Sequence, residues 1–192
     1  MTRARDKAAL APSPIGRQTI WVPASAMSPS VSNGCAALAT TEIHSSKPNI
    51  LTLDFDTSTA EYAEFSVAFP KSWNKDDVTF QLYWSANSTS FSGVAFMMQS
   101  LALNDTTNIS LTGYGVQGAL TDTHSASATK VNITSESSAL SIGTSSGPTP
   151  SDSALVYFKI QRQTYSSSDT LASDVRVHGL KLFYTTDAVN DE

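Results

Sequence analysis

The chain has 192 residues, 40% of them hydrophobic and only 15% charged, with 17 acids against 12 Lys and Arg for a net charge of −5. An average domain is about 25% charged; here Ser, Thr and Asn take the place of the missing charge, and an acidic body argues against nucleic acid as its partner. No run approaches the ~18 apolar residues of a membrane span, so no membrane insertion is expected.

The first 19 residues, MTRARDKAALAPSPIGRQT, start like an export signal but lack the apolar run of about 7 to 15 residues that export needs. Arg3, Arg5, Lys7 and Arg17 face one acid, Asp6, so this segment is basic while the remainder is acidic. The reading is an extended arm over residues 1–19 that anchors the chain on a neighbouring subunit, with Leu10, Pro12, Pro14 and Ile15 as its apolar contacts. Residues 20–192 then make one domain with a sizeable core.

Along that body, Thr19–Pro23 reads as a short strand ended by proline, and the small-residue run to Ala39 is broken by the turn pair Asn33-Gly34. The stretch Leu51–Trp73 organises the rest of the chain, as two alternating strands around an acidic turn. In the second of these Tyr62, Phe65, Val67 and Phe69 supply the apolar surface. Pro70 ends the ladder because it has no N–H to donate, so Pro70, Trp73 and Asn74 form a corner. There the Trp73 ring is expected to bury while its indole N–H finds a partner near the sheet edge. Val78–Ala86 places Val78, Phe80, Leu82 and Trp84 on one face and Thr79, Gln81 and Tyr83 on the other, the alternation of a half-buried antiparallel strand.

Gly93–Leu103 reads as a strand, residues 104–127 as a long excursion with a short strand near Tyr114–Val116, and Thr129–Thr134 and Ala139–Ile142 as further strands. After the turn cluster Gly143–Ser153 come Ala154–Gln163, the most β-prone stretch, and Asp174–Thr185, whose alternation breaks phase at Gly179 in the manner of a β-bulge. Eight or nine strands without a convincing helix predict an all-β, antiparallel two-sheet β-sandwich of jelly-roll type.

Catalytic chemistry is weakly represented. His44, His124 and His178 are isolated, so no metal site or other cofactor is expected. Asp54 and Asp56 project from one strand like a glycosidase pair, but read better as turn-capping acids ahead of Thr57-Ser58-Thr59. The single Cys35 cannot form an internal disulfide and reads as a small buried thiol. Asn-X-Ser/Thr triplets at Asn87, Asn104, Asn108 and Asn132 are expected by chance in so Ser- and Thr-rich a chain. Tyr83, Tyr114 and Tyr165 lie on polar faces or in loops, and are candidate glycan contacts because a sugar's apolar face stacks on a ring.

Five segments, Ile20–Met27 (IWVPASAM), Thr52–Asp56 (TLDFD), Phe69–Asn74 (FPKSWN), Val175–Gly179 (VRVHG) and Phe183–Ala188 (FYTTDA), resemble a family of bacteriophage and prophage virion structural proteins. That family is related to the C-terminal β-sandwich domain of phage tail-fibre-like proteins, and its motifs stand in the same order over residues 20–192. The resemblance implies a non-enzymatic virion component, assembled in the bacterial host cytoplasm. It would be a tail-fibre or baseplate-type appendage that anchors by its arm and displays the sandwich for host attachment. Its partners would be other virion proteins, a homotrimer of itself and a host surface glycan. A capsid decoration protein is the alternative, and a free carbohydrate-binding module a further one.

Overall fold

The computed structural model describes residues 16–42, 44–110, 112–115, 117–143, 148–189 and 191. The arm residues Arg3, Arg5, Lys7, Leu10, Pro12, Pro14 and Ile15 lie outside these. Eleven strands are described: β1 (Gly16–Pro23), β2 (Ser28–Pro29), β3 (Ala39–Glu42), β4 (Asn49–Phe55), β5 (Tyr62–Ala68), β6 (Thr79–Ala86), β7 (Gly93–Leu103), β8 (Gln117–Thr123), β9 (Asn132–Ile133), β10 (Leu155–Arg162) and β11 (Val175–Thr186). One sheet runs β3-β4-β11-β6-β9 with β1 also on β11; the other runs β2-β5-β10-β7-β8. All the strand pairings are antiparallel, and the two sheets close as a sandwich, as the alternation predicts.

Period-two side chains explain the layers. Phe55, Phe80, Leu82 and Trp84 from one sheet meet Phe96, Met98, Phe158 and Ile160 from the other, all fully buried. Phe55 meets Phe96 edge-on at 5.8 Å, while Phe65 stacks on Phe158 at 5.1 Å. Burial of side chains of this size stabilises the fold by about 1.5–3 kcal/mol each before entropy is counted.

β11 is the seam of the molecule. It pairs with β6 along nearly its whole length, with β4 through Val175–Val177, and with β1 through Gly179–Thr186. The register shifts between Val177 and Gly179, where the phase break predicts a bulge. The corner also closes on this strand: Trp73 bridges Thr186, the Asn74 N–H donates to Thr185 O at 3.0 Å, and the Asp187 N–H donates to Ser72 O at 3.0 Å. Asp191 accepts the Ser72 N–H at 3.1 Å.

Several expectations are corrected. β1 begins at Gly16, so the sandwich takes in residues 16–19 of the expected arm, because Gly16–Thr19 completes the ladder against Thr186–Phe183. The excursion 104–127 holds a seven-residue strand, β8, placed after Tyr114 rather than on it. Conversely, Thr129–Thr134 forms only the two-residue β9, and Ala139–Ile142 contributes one bridge, Leu140 to Val78. Tyr62 points away from the core, since Ala63, Phe65 and Val67 occupy the inward parity of β5. The Trp73 ring buries and stacks on Phe69 at 4.3 Å, but its buried indole N–H has no hydrogen-bond partner among the described residues.

Candidate functional site

The outer face of the five-stranded sheet carries the richest polar and aromatic constellation. Outward parity on β5 gives Tyr62, Glu64 and Ser66, and on β10 gives Tyr157 and Lys159. Antiparallel register sets Lys159 between Glu64 on β5 and Gln99 on β7. The ammonium of Lys159 lies 4.9 Å from the Tyr62 ring centre and 4.4 Å from that of Tyr114, a cation held between two π faces. Glu64 accepts a hydrogen bond from Ser30 Oγ at 2.9 Å. Burial first, and the charge of Glu64 second, push the Tyr114 hydroxyl well above the ordinary tyrosine range, so it stays protonated and hydrogen-bonds to Glu64.

A loop walls this face on one side. The N–H groups of Ser30 and Cys35 both donate to Tyr62 O, at 3.2 and 3.1 Å, and the Tyr62 N–H returns a bond to Asn33 O at 2.9 Å. Gly34 is required here, for a Cβ would stand 2.1 Å from Ser30 O. Asn33 takes φ 54°, the left-handed region an Asn tolerates. Between loop and sheet opens a groove of about 460 Å³ lined by Ser30, Ser32, Asn33, Tyr62, Glu64 and Lys159. A tyrosine ring, an ammonium donor and a carboxylate acceptor thus share one groove, which suits a ligand with an apolar face and hydroxyls at its edge.

The three tyrosines singled out in the sequence are not brought together. Tyr114 stands outside the groove lining but against Lys159, which lines it, Tyr83 stands on the outer face of the opposite sheet, and Tyr165 lies exposed in the loop after β10, its hydroxyl 3.4 Å from Gln163 Nε2. Sequence reasoning missed Tyr62, Glu64 and Lys159. A signal existed in β10, where one lysine interrupts ALVYFKIQ at outward parity.

Arg17 is corrected as an anchor. Its guanidinium pairs with Glu136 and sits 4.3 Å over the Phe183 ring, so it is engaged inside its own chain. The acids do not assemble a hydrolytic pair. Asp54 lies 3.8 Å from Arg176, while Asp56 accepts bonds from the Ser58 hydroxyl and the Ser58 and Thr59 N–H groups, which lower its pKa to about 2. An acid held ionised this firmly caps a turn and is unsuited to donating a proton. His44 is exposed, His124 is buried against Trp84 with Nδ1 3.0 Å from Ser90 O, and His178 Nε2 lies 2.9 Å from Ser85 Oγ. Among the described residues no three His, Cys, Asp or Glu side chains gather where a metal ion could sit. Cys35 is buried, and burial with the nearby Glu61 raises its thiol to about 12, which fits the inert thiol expected.

The fold and this face together define an all-β sandwich with an aromatic, polar groove on one sheet. No family model and no curated protein matches the chain. Among solved structures, it is similar to the family 11 carbohydrate-binding module from Clostridium thermocellum in complex with a β-1,3-1,4-mixed-linked tetrasaccharide, at 11% identity and TM-score 0.46, over 92% of this chain and 98% of that one. A domain of a multidomain xylanase from the hindgut metagenome of Trinervitermes trinervoides gives 8% identity and TM-score 0.40, over 86% and 96%. A carbohydrate-binding module specific for non-crystalline cellulose gives 12% and 0.40, over 87% and 89%. At these identities the likeness is one of fold alone.

Proposed function

We propose that this chain is a non-enzymatic component of a bacteriophage particle, a tail-fibre or baseplate-type appendage whose sandwich binds host-surface glycan. The observation that carries the binding reading is the groove in which Lys159 lies between Tyr62 and Tyr114 beside Glu64. The Tyr62 ring stacks on the apolar side of a sugar, Lys159, backed by Tyr114, donates to its hydroxyl oxygens, and Glu64 accepts from its hydroxyl protons. The loop Ser30–Gly34 is held in place beforehand, which lowers the ordering cost of binding.

The virion reading rests on the five ordered segments and gains support from their arrangement. The segment Ile20–Pro23 pairs with β11, Leu53–Phe55 pairs with β11, and the Ser72–Asn74 corner bonds to it; Val175–Gly179 lies within β11, and Phe183–Ala188 forms its end and the two residues after it. The resemblance therefore falls on β11 and the segments bonded to it in the six-stranded sheet, and the groove lies on the other sheet, where a common scaffold would vary its recognition. In this reading the basic segment before Gly16 tethers the body to other virion proteins and the body assembles as a homotrimer.

The test is electron microscopy of intact particles labelled with a gold-tagged antibody against residues 20–192. Gold is expected at the tail end. Gold spread over the head would replace the appendage with capsid decoration, and unlabelled particles would overturn the virion reading.

A further inference from the structure

On the opposite face of the molecule stands an exposed tryptophan whose placement demands a specific backbone. Of the three Trp residues, Trp73 and Trp84 are 3% and 0% exposed, whereas Trp21 on β1 is 48% exposed. A Trp left in water forgoes the burial its size would otherwise contribute. Its seat is the β11 bulge: Gly179 has φ +151°, and a Cβ there would come within 2.8 Å of the Cζ2 and Cη2 atoms of Trp21 and 2.6 Å of Val22 O. Only glycine lets the indole reach over that strand. Beyond it the indole meets Tyr83 at 5.1 Å and 87°, so two rings form a right-angled corner.

The corner is part of a row. Tyr83 is in register with Ile133 on β9, itself exposed, so Trp21, Tyr83 and Ile133 cross from β1 over β11 and β6 to β9, roughly 14 Å at the usual strand spacing. Polar side chains flank it. Lys181 lies beside it, in register with Trp21 and Gln81 and with its ammonium 5.5 Å from the Tyr83 ring, and His178 and Ser85 stand on the far side. We propose that this row is a second carbohydrate surface, taking a neutral sugar chain laid across the strands with its apolar faces on Trp21 and Tyr83. Lys181 and Gln81 then meet its hydroxyls. A protein partner would need roughly 800 Å² of one side, and a row one side chain deep between polar flanks falls short of that.

The two sheets face opposite ways, so this surface is independent of the Lys159 groove and would make the body bivalent toward a polysaccharide. Because the other two tryptophans are buried, iodide quenching of the intrinsic emission reports on Trp21. The experiment titrates neutral gluco-, galacto- and manno-oligosaccharides into the full chain and into Lys159→Ala, Tyr83→Ser and Trp21→Thr variants. It follows iodide quenching and, in parallel, the heat of binding.

At least one sugar is expected to cut quenching twofold or more in the full chain and in Lys159→Ala. Tyr83→Ser should weaken that protection at least fivefold, and Trp21→Thr should lose the matching heat. Heat that depends on Lys159 with quenching untouched would overturn this surface and leave the groove standing. Protection indifferent to Lys159, with no further heat, would uphold the surface and overturn the groove. Neither signal from any sugar would overturn the surface as well.

Discussion

Arg162 shows how much one side chain can decide. It is 0% exposed, yet every N–H of its guanidinium finds an acceptor: Asp169 takes Nε at 3.0 Å and Nη2 at 2.9 Å, Nη2 also reaches Leu171 O at 2.6 Å, and Nη1 reaches Ser173 O at 2.9 Å and Asp56 O at 3.2 Å. One residue so joins the end of β10, the 163–174 loop and the turn after β4. Removing one partner of a buried pair leaves the other charge uncompensated. Arg162→Ala is therefore expected to destabilise the protein by about 3–5 kcal/mol in urea denaturation; a loss within about 0.5 kcal/mol would contradict the pinning role. The pair is invisible in the sequence, because Asp169 sits in a Ser-rich loop and only folding brings it to Arg162.

His178 supplies a pH dependence. Burial, only partly offset by Asp54 and reinforced by Arg176, holds it below the ordinary value of 6.5. The unfolded chain then takes up a proton at higher pH than the folded one. Its contribution to stability is complete above about 6.5 and declines as pH falls toward the lower folded value. The urea midpoint is expected to drop between pH 7 and pH 5, and His178→Gln should flatten that slope. An unchanged slope in the variant would assign it to other groups.

At the scale of elements, legibility followed side-chain chemistry. β6 and β10 were readable because their inward positions are large and apolar, from Phe80, Leu82 and Trp84 to Val156, Phe158 and Ile160, whereas β7 is a continuous apolar run, legible as a strand only from its neighbours and the turn at Gly93. β8 was hidden because its inward positions include Gly118, which faces the Leu140 Cβ closely, and Asp122, which accepts the Trp84 indole N–H at 2.8 Å. Period-two hydrophobicity does not register a glycine and a hydrogen-bonding acid.

The segment after β9 misled in the other direction. It runs beside β6, but hydroxyls take the ladder's bonds: the Leu82 N–H donates to Thr134 Oγ1 and the Phe80 N–H to Ser137 Oγ, each at 3.0 Å. The bulge in β11 was visible as a break in alternation, though not its purpose of seating Trp21. Gly179→Ala meets backbone at Val22 O and an unfavourable φ, and is expected to destabilise by about 1–3 kcal/mol. Thermal or urea unfolding measures this, and a neutral result would mean that the bulge is not constrained as described.

For the whole molecule, the two-sheet sandwich was legible and the proposed binding face was not. A groove is a matter of register: Tyr62, Glu64 and Lys159 become neighbours only when β5 pairs with β10, and Tyr114 arrives from a loop far along the chain. Only Tyr114 among these stands out in the sequence as a binding residue, through its loop position. The composition fits this arrangement, since a surface built from Ser, Thr, Asn and Tyr with few charges presents hydroxyls and rings to a sugar rather than a field to a charged partner.

The most direct test of the central claim is isothermal titration of the full chain with purified host-surface polysaccharide, alongside Lys159→Ala and Tyr62→Ala variants whose folding is verified by thermal unfolding. Saturable binding is expected, weakened at least tenfold by either substitution, which corresponds to about 1.4 kcal/mol of lost interaction. Binding by both folded variants as strong as that of the unsubstituted chain, or no binding by the full chain, would contradict the assignment of this groove as the glycan site.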